Sequence, residues 1–232
     1  MRLYPKDIAG VIDISAVQAP NGEAEIRELA GYAKKYGFKG IHALPCWIPF
    51  LCELLDDRKD ILVGGPVGFP SGGHTKEIKV QEARQMIANG AREIDLMINV
   101  GMLRSGRHRE VEDEIKAVVG ISENVPVKVI LEVYHLSSGE IKKACELCIN
   151  AAADFVKTST GWAPGGGTLE VVSLITSFVG DAIKVKAAGG IHDLQMFKKM
   201  YALGVARFGI NAQAAVNLLQ QCVELPGGVI AL

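Results

Sequence analysis

Two lysines at the ends of apolar runs are the residues of this chain best suited to chemistry. Lys157 lies in DFVKTSTG and Lys186 in IKVKAAGG. An ammonium group is costly to take out of water, so a lysine in a run otherwise built for burial must be paired, neutral or reactive. Two such groups held close depress each other's pKa, and burial acts in the same direction. A lysine moved from about 10.4 toward about 7 has a neutral amine available at working pH. A desolvated amine beside a second cation is the arrangement that forms Schiff bases with carbonyl compounds. Asp95, in REIDLMIN, adds a carboxylate at comparable height for moving protons through water.

These groups need a rigid frame, and the pattern of the chain supplies one. Eight short apolar runs read as strands: GVIDIS, GIHAL, ILVGGPV, EIDLMI, VKVILE, DFVKTS, IKVKAA and RFGI. Between them lie segments of 3.6-residue periodicity, such as 23–36, with Ile26, Leu29, Ala30 and Ala33 on one face, and 75–88. Ser137 followed by Glu140 predicts a capping box for a helix starting near Ser138, and Gly37, Gly90, Gly180 and Gly204 stand where C-terminal caps belong. Strict β-then-α alternation implies right-handed crossovers and a parallel sheet, and eight units over residues 1–232 predict closure into a single-domain (β/α)8 TIM barrel. An open doubly wound sheet is the competing arrangement.

Side chains alternate across a strand, so each run divides into a helix-facing and an axis-facing set. This parity sends Glu93, Asp95, Met97 and Asn99 inward on the fourth strand, Lys128, Ile130 and Glu132 on the fifth, Phe155, Lys157 and Ser159 on the sixth, and Lys184 and Lys186 on the seventh. Barrel interiors are normally filled with bulky aliphatic residues. Four lysines and three carboxylates gathered there are hard to explain by stability, since each buried ion costs several kcal/mol in desolvation. Lys157 and Lys186 fall near the C-terminal rim, where barrel enzymes carry their chemistry. Lys128 and Lys184 are expected deeper, as counter-ions to Glu93 and Glu132.

Other chemistries find little support. No GxSxG elbow, GxxxxGK[ST] loop or post-strand GxGxxG is present, and the five histidines show no metal-ligand spacing, so neither a metal nor an organic cofactor is expected. Cys145 and Cys148 form a CxxC, but inside an amphipathic helical run, where they read as small core residues. The segment GWAPGGGT reads as an ordinary βα loop. A net charge of −1 offers no basic field for nucleic acid or anionic lipid. With no apolar span near the roughly 20 residues a bilayer needs and no signal-peptide core, the expected setting is cytoplasmic. The expected partner is a small molecule; homo-oligomers are common among barrels of this size, although no surface stripe singles out an interface.

The pieces ADFVKTSTG, KAAGG, GAREIDLMINVG and GFPSGGHTKEIKVQEA, in this order and spacing, resemble the deoxyribose-phosphate aldolase family of class I aldolases, over most of the chain from about VIDIS to about RFGINA. The resemblance implies a (β/α)8 fold and a reversible, cofactor-free aldol reaction with acetaldehyde as donor. Lys157 would form the imine and enamine, while Asp95 and Lys186 move protons through a water. It further implies substrate contacts at Asp13, Thr160, Gly161, Gly189, Gly190, His192, Gly209 and Asn211.

Departures from the family pattern gather at the acceptor end. GGIHD puts His192 where an arginine or similar group is usual, and GINA puts Asn211 and Ala212 where the family usually has two serines. DISAVQ keeps Asp13 where DHTLLK is frequent, and Leu44 stands where many members have asparagine. The expectation is therefore a Schiff-base aldolase of 2-deoxyribose 5-phosphate, with a lysine-dependent relative acting on another hydroxy-carbonyl compound, phosphorylated or not, as the alternative. A barrel isomerase or a non-catalytic binder is the reading from a different class; a binder has no use for a reactive lysine, and reductive trapping with a small aldehyde separates the two.

Overall fold

Apolar runs of three to six residues, too short for a helix, form strands that are sheathed on their outer faces by amphipathic helices. The computed structural model describes residues 2–231. Its strands are β1 (Ile12–Ala16), β2 (Gly40–Ala43), β3 (Leu62–Val67), β4 (Glu93–Met97), β5 (Val127–Ile130), β6 (Phe155–Lys157), β7 (Lys184–Ala188) and β8 (Arg207–Asn211). They pair in parallel and in sequence order, and β8 returns to β1, so the sheet closes into a single barrel rather than the open doubly wound alternative. A principal helix follows each strand: α1 (Glu23–Tyr36), α2 (Ile48–Leu54), α3 (Lys76–Ala88), α4 (His108–Ser122), α5 (Ser138–Asn150), α6 (Leu169–Val179), α7 (Leu194–Ala202) and α8 (Ala212–Glu224), with short additional helices at Pro5–Ala9 and Val100–Arg104. A two-residue antiparallel pair joins Arg2–Leu3 to Ile230–Ala231.

Local signals set the helix ends. The α1 face of Ile26, Leu29, Ala30 and Ala33 is buried, and Gly37 closes the helix in the left-handed conformation at φ 70°. At the start of α5 the Glu140 carboxylate accepts from the Ser137 N–H at 2.7 Å, while Ser137 Oγ accepts from the Glu140 N–H at 3.3 Å. Cys145 and Cys148 lie on the buried side of α5, where burial pushes the Cys145 thiol up to about 12, so both act as core residues. None of the described helices is long and apolar enough to cross a membrane.

A buried ion pair lies outside the barrel, between α3 and α4. Lys79, fully buried, donates to Glu114 at 2.7 Å and to the Met97 carbonyl at 2.8 Å. Burial pushes the Lys79 ammonium down and the Glu114 carboxyl up, so the site tolerates these charges only as a pair. Glu114→Ala is expected to cost about 3–5 kcal/mol by stranding Lys79, whereas the Lys79→Met, Glu114→Leu double variant should be close to wild type in denaturant unfolding.

Candidate active site

Register brings the charged side chains of the barrel together. Neighbouring strands set Asp95 beside Lys128, Lys157 beside Lys186, and Lys186 beside Arg207. Room for them comes from two axis-facing glycines. A Cβ at Gly40 would fall 2.4 Å from Asp13 Oδ1, and one at Gly64 would fall 2.0 Å from His42 Cε1. Bulkier residues there would close the space the polar groups occupy.

Within this interior Lys157 Nζ lies 2.6 Å from Asp95 Oδ2. Lys186 Nζ is 2.6 Å from Asp13 Oδ2 and 3.3 Å from Asp95 Oδ2, and Lys128 Nζ is 2.5 Å from Glu93 and 3.5 Å from Asp95 Oδ1. Arg207 bonds both Asp13 and Glu93. The network thus holds three carboxylates against four cationic side chains, one proton more than charge balance requires. Lys128, Lys186 and Arg207 each bridge two carboxylates, and Lys157 touches Asp95 alone. Lys157 is the member that surrenders its proton at least cost.

The titration directions agree with this count. Burial, reinforced by the charges of Lys186 and Lys128, depresses the Lys157 ammonium below the usual lysine value despite the attraction of Asp95. Lys186 is just as buried, yet Asp13, Asp95 and Glu93 raise its pKa above the ordinary value. The sequence-based expectation that the two lysines depress each other therefore fails for Lys186, because its carboxylate neighbours outweigh both burial and Lys157. Asp95 and Asp13 are held well below the carboxylate range: burial opposes ionisation, but it is outweighed at Asp95 by His42, Lys157, Lys186 and Lys128 and at Asp13 by Lys186, His42 and Arg207. The result is an ammonium eased toward its neutral form beside one held more firmly in its charged form, the two sharing one ionised carboxylate.

Three expectations about the interior are corrected. Lys184 is exposed, its ammonium 5.5 Å from the Phe155 ring centroid, because it is the first residue of β7 and parity places it at the open end. Glu132 is no counter-ion to a lysine: it accepts from the Thr160 N–H and hydroxyl. Asn99 caps the short helix Val100–Arg104, accepting from the Met102 N–H at 3.0 Å. Both Glu132, at φ 52°, and Asn99 lie beyond the last residue of their strands, where the two-residue alternation no longer applies. The same alternation, extended to β1, β2 and β8, would have found the members that sequence reasoning left out of the network, Asp13, His42 and Arg207, since Ile12, Ile14, Ile41, Phe208 and Ile210 fill the opposite parity.

Asp13, His42 and Glu93 place ligand-type atoms within 4.8 Å of one another. The carboxylates are already bound by Lys128, Lys186 and Arg207, and a metal ion would enter against three positive charges, so this donor set is ill suited to one.

Above the network opens a cavity of about 560 Å³ that Lys157, Lys186 and Asp95 line from below. Every residue expected to meet substrate borders it. Gly161, Gly189, Gly190 and Gly209 present backbone, Thr160 and His192 stand on the β6–α6 and β7–α7 loops, and Asn211 opens α8. Both Asp13 carboxylate oxygens are ion-paired within the network, Oδ2 with Lys186 and Oδ1 with Arg207. The Asn211 side-chain oxygen Oδ1 caps α8 by accepting from the Ala214 N–H at 2.9 Å. The GWAPGGGT loop is pinned across the opening. Trp162 Nε1 donates to the Val17 carbonyl at 2.9 Å, and Gly166 approaches so closely that a Cβ there would lie 2.8 Å from Gly189 Cα.

The family model described as DeoC/LacD family aldolase matches residues 58–214. A deoxyribose-phosphate aldolase of Rhizobium meliloti is 51% identical over 97% of this chain and 91% of that protein. One of Klebsiella pneumoniae is 44% identical over 94% of this chain and 88% of its own. Among solved structures, the tetrameric deoxyribose phosphate aldolase of Aeropyrum pernix superposes with a TM-score of 0.87 at 27% identity, covering 96% of this chain and 93% of that one.

Proposed function

Because the chain belongs to the DeoC/LacD family of aldolases, we propose that it cleaves and forms 2-deoxyribose 5-phosphate through a Schiff base on Lys157. The observation that carries this reading is the depressed amine of Lys157 beside the raised ammonium of Lys186, joined through Asp95. In the cleavage direction Lys157 adds to the C1 carbonyl of the open-chain sugar. The carbinolamine loses water with Lys186 as acid, leaving an iminium whose positive charge draws electrons from the C2–C3 bond. Asp95 relays the proton taken from the C3 hydroxyl as that bond breaks, which releases glyceraldehyde 3-phosphate. The remaining enamine takes a proton at carbon, and hydrolysis returns acetaldehyde and the free amine. Self-association belongs to the same proposal, supported by the Aeropyrum pernix likeness.

The acceptor end favours a weakened form of phosphate recognition. Among the described residues the cavity has no lining arginine, His192 is the one basic side chain away from the network, and Glu25 and Glu28 border the same space. Backbone N–H groups at Gly189 and Gly190, both with positive φ, and at the start of α8 are the donors left for a phosphate. A charge-assisted hydrogen bond is worth roughly 1.5–3 kcal/mol, about one to two powers of ten in binding. His192→Arg is therefore expected to raise kcat/KM for 2-deoxyribose 5-phosphate about tenfold or more and to leave that for 2-deoxyribose unchanged. Comparing both sugars with both proteins tests it. A large phosphate preference in the wild type that the substitution does not move would mean that backbone donors suffice. Failure to release acetaldehyde from either sugar would defeat the aldolase reading itself.

A further inference from the structure

His42 is a buried histidine inside the barrel for which the reaction above has no use. Its ring fills the hollow left by Gly64 and contacts charged groups from three other strands. Nε2 lies 3.2 Å from Lys186 Nζ on β7 and 3.4 Å from Asp13 Oδ2 on β1, and Nδ1 lies 3.6 Å from Asp95 Oδ2 on β4. An ammonium has hydrogens to give and no lone pair to accept with. The nitrogen nearest Lys186 must therefore be the bare one, which puts the imidazole proton on Nδ1, directed at Asp95. A charged imidazolium in this place would set an N–H against the Lys186 ammonium. It would also add a second positive charge to a network that already has one in excess, and burial likewise favours the neutral ring.

We propose that His42 is a positioning residue of the reaction, a neutral imidazole in the Nδ1–H tautomer that accepts the third N–H of Lys186 and so fixes which of the two lysines remains the ammonium. With His42 in place, the Lys186 ammonium has two hydrogen-bond acceptors, Asp95 and the ring, and a third contact in its ion pair with Asp13. Lys157 has Asp95 alone. His42 thus separates two side chains of identical chemistry into an acid and a nucleophile, and it sets the direction from which Lys186 meets Asp95.

The inference rests on the Schiff-base reading, and two measurements keep the two apart. In the resting enzyme, nitrogen NMR with labelled histidine, assigned by the signal lost in His42→Gln, should show Nδ1 protonated, Nε2 bare and no titration between about pH 5 and 9. In the second, the alkaline limb of kcat/KM reports loss of the Lys186 proton. A hydrogen bond to the charged form favours that form, so His42→Leu should move this limb down by about one pH unit. His42→Gln, whose amide oxygen is again a neutral acceptor, should restore most of the shift. A role in packing alone predicts the same limb in both variants, with only thermal stability altered. The proposal is overturned by a protonated Nε2, by a His42 that titrates in this range, or by an unmoved limb in a His42→Leu protein that still forms the reductive adduct. If the wild type forms no such adduct on Lys157, the Schiff-base reading fails, while the tautomer measurement still stands or falls separately.

Discussion

Acetaldehyde followed by borohydride fixes a two-carbon adduct on the peptide carrying Lys157 and inactivates the protein in step with labelling. This outcome is expected from three properties that meet in Lys157. Its pKa is depressed, it is bound to a single carboxylate, and it borders the cavity. Lys128 is fully buried between Glu93 and Asp95 and does not border the cavity, and the carboxylates around Lys186 favour its charged form. Lys157→Ala should lose turnover by a factor on the order of 10⁴ or more, since no other group can form the covalent intermediate. Peptide mapping by mass spectrometry decides the matter: label confined to surface lysines such as Lys184 would remove Lys157 from its assigned role.

Removing Lys186 should damage rate and fold together. Lys186→Leu deletes the acid of the proposed mechanism, and loss of a positioned proton donor costs about 10²- to 10⁴-fold in rate. It also leaves Asp13 and Asp95 short of a cation in a place where water cannot replace it. Breaking a buried pair from one side costs about 3–5 kcal/mol. The two carboxylates within 3.3 Å of its nearly inaccessible Nζ set that cost. The two effects separate experimentally, with kcat followed at a temperature where the variant is still folded and stability taken from urea unfolding. Near-native turnover would show that Lys186 is a structural cation and that another group supplies the proton.

The architecture of this protein was legible in its sequence because barrel strands and helices are written in local periodicities. Parity along REIDLMIN and VKVILE separates Ile94, Leu96, Val127 and Val129, packed toward the helices, from Asp95 and Lys128, turned to the axis. The burial of Lys157 beside Lys186 inside the barrel was legible for the same reason, since both occupy axis-facing positions of neighbouring strands. What local reading could not decide was who pairs with whom. Glu132 and Asn99 follow the parity of strands that have already ended, so their side chains turn to Thr160 and to a helix cap. Lys184 obeys the parity but begins its strand, so it meets solvent. Arg207 enters the network from the far end of the chain, opposite Asp13, a contact spanning 194 residues that no spacing rule encodes.

The opposed titration of Lys157 and Lys186 is likewise a property of the closed barrel. Both lysines are buried, both end apolar runs, and the sequence treats them alike. Only closure, by bringing β1, β4 and β8 around β6 and β7, gives Lys186 two carboxylates and Lys157 one, and electrostatic energies between buried charges depend on those distances and on nothing nearer to hand in the chain.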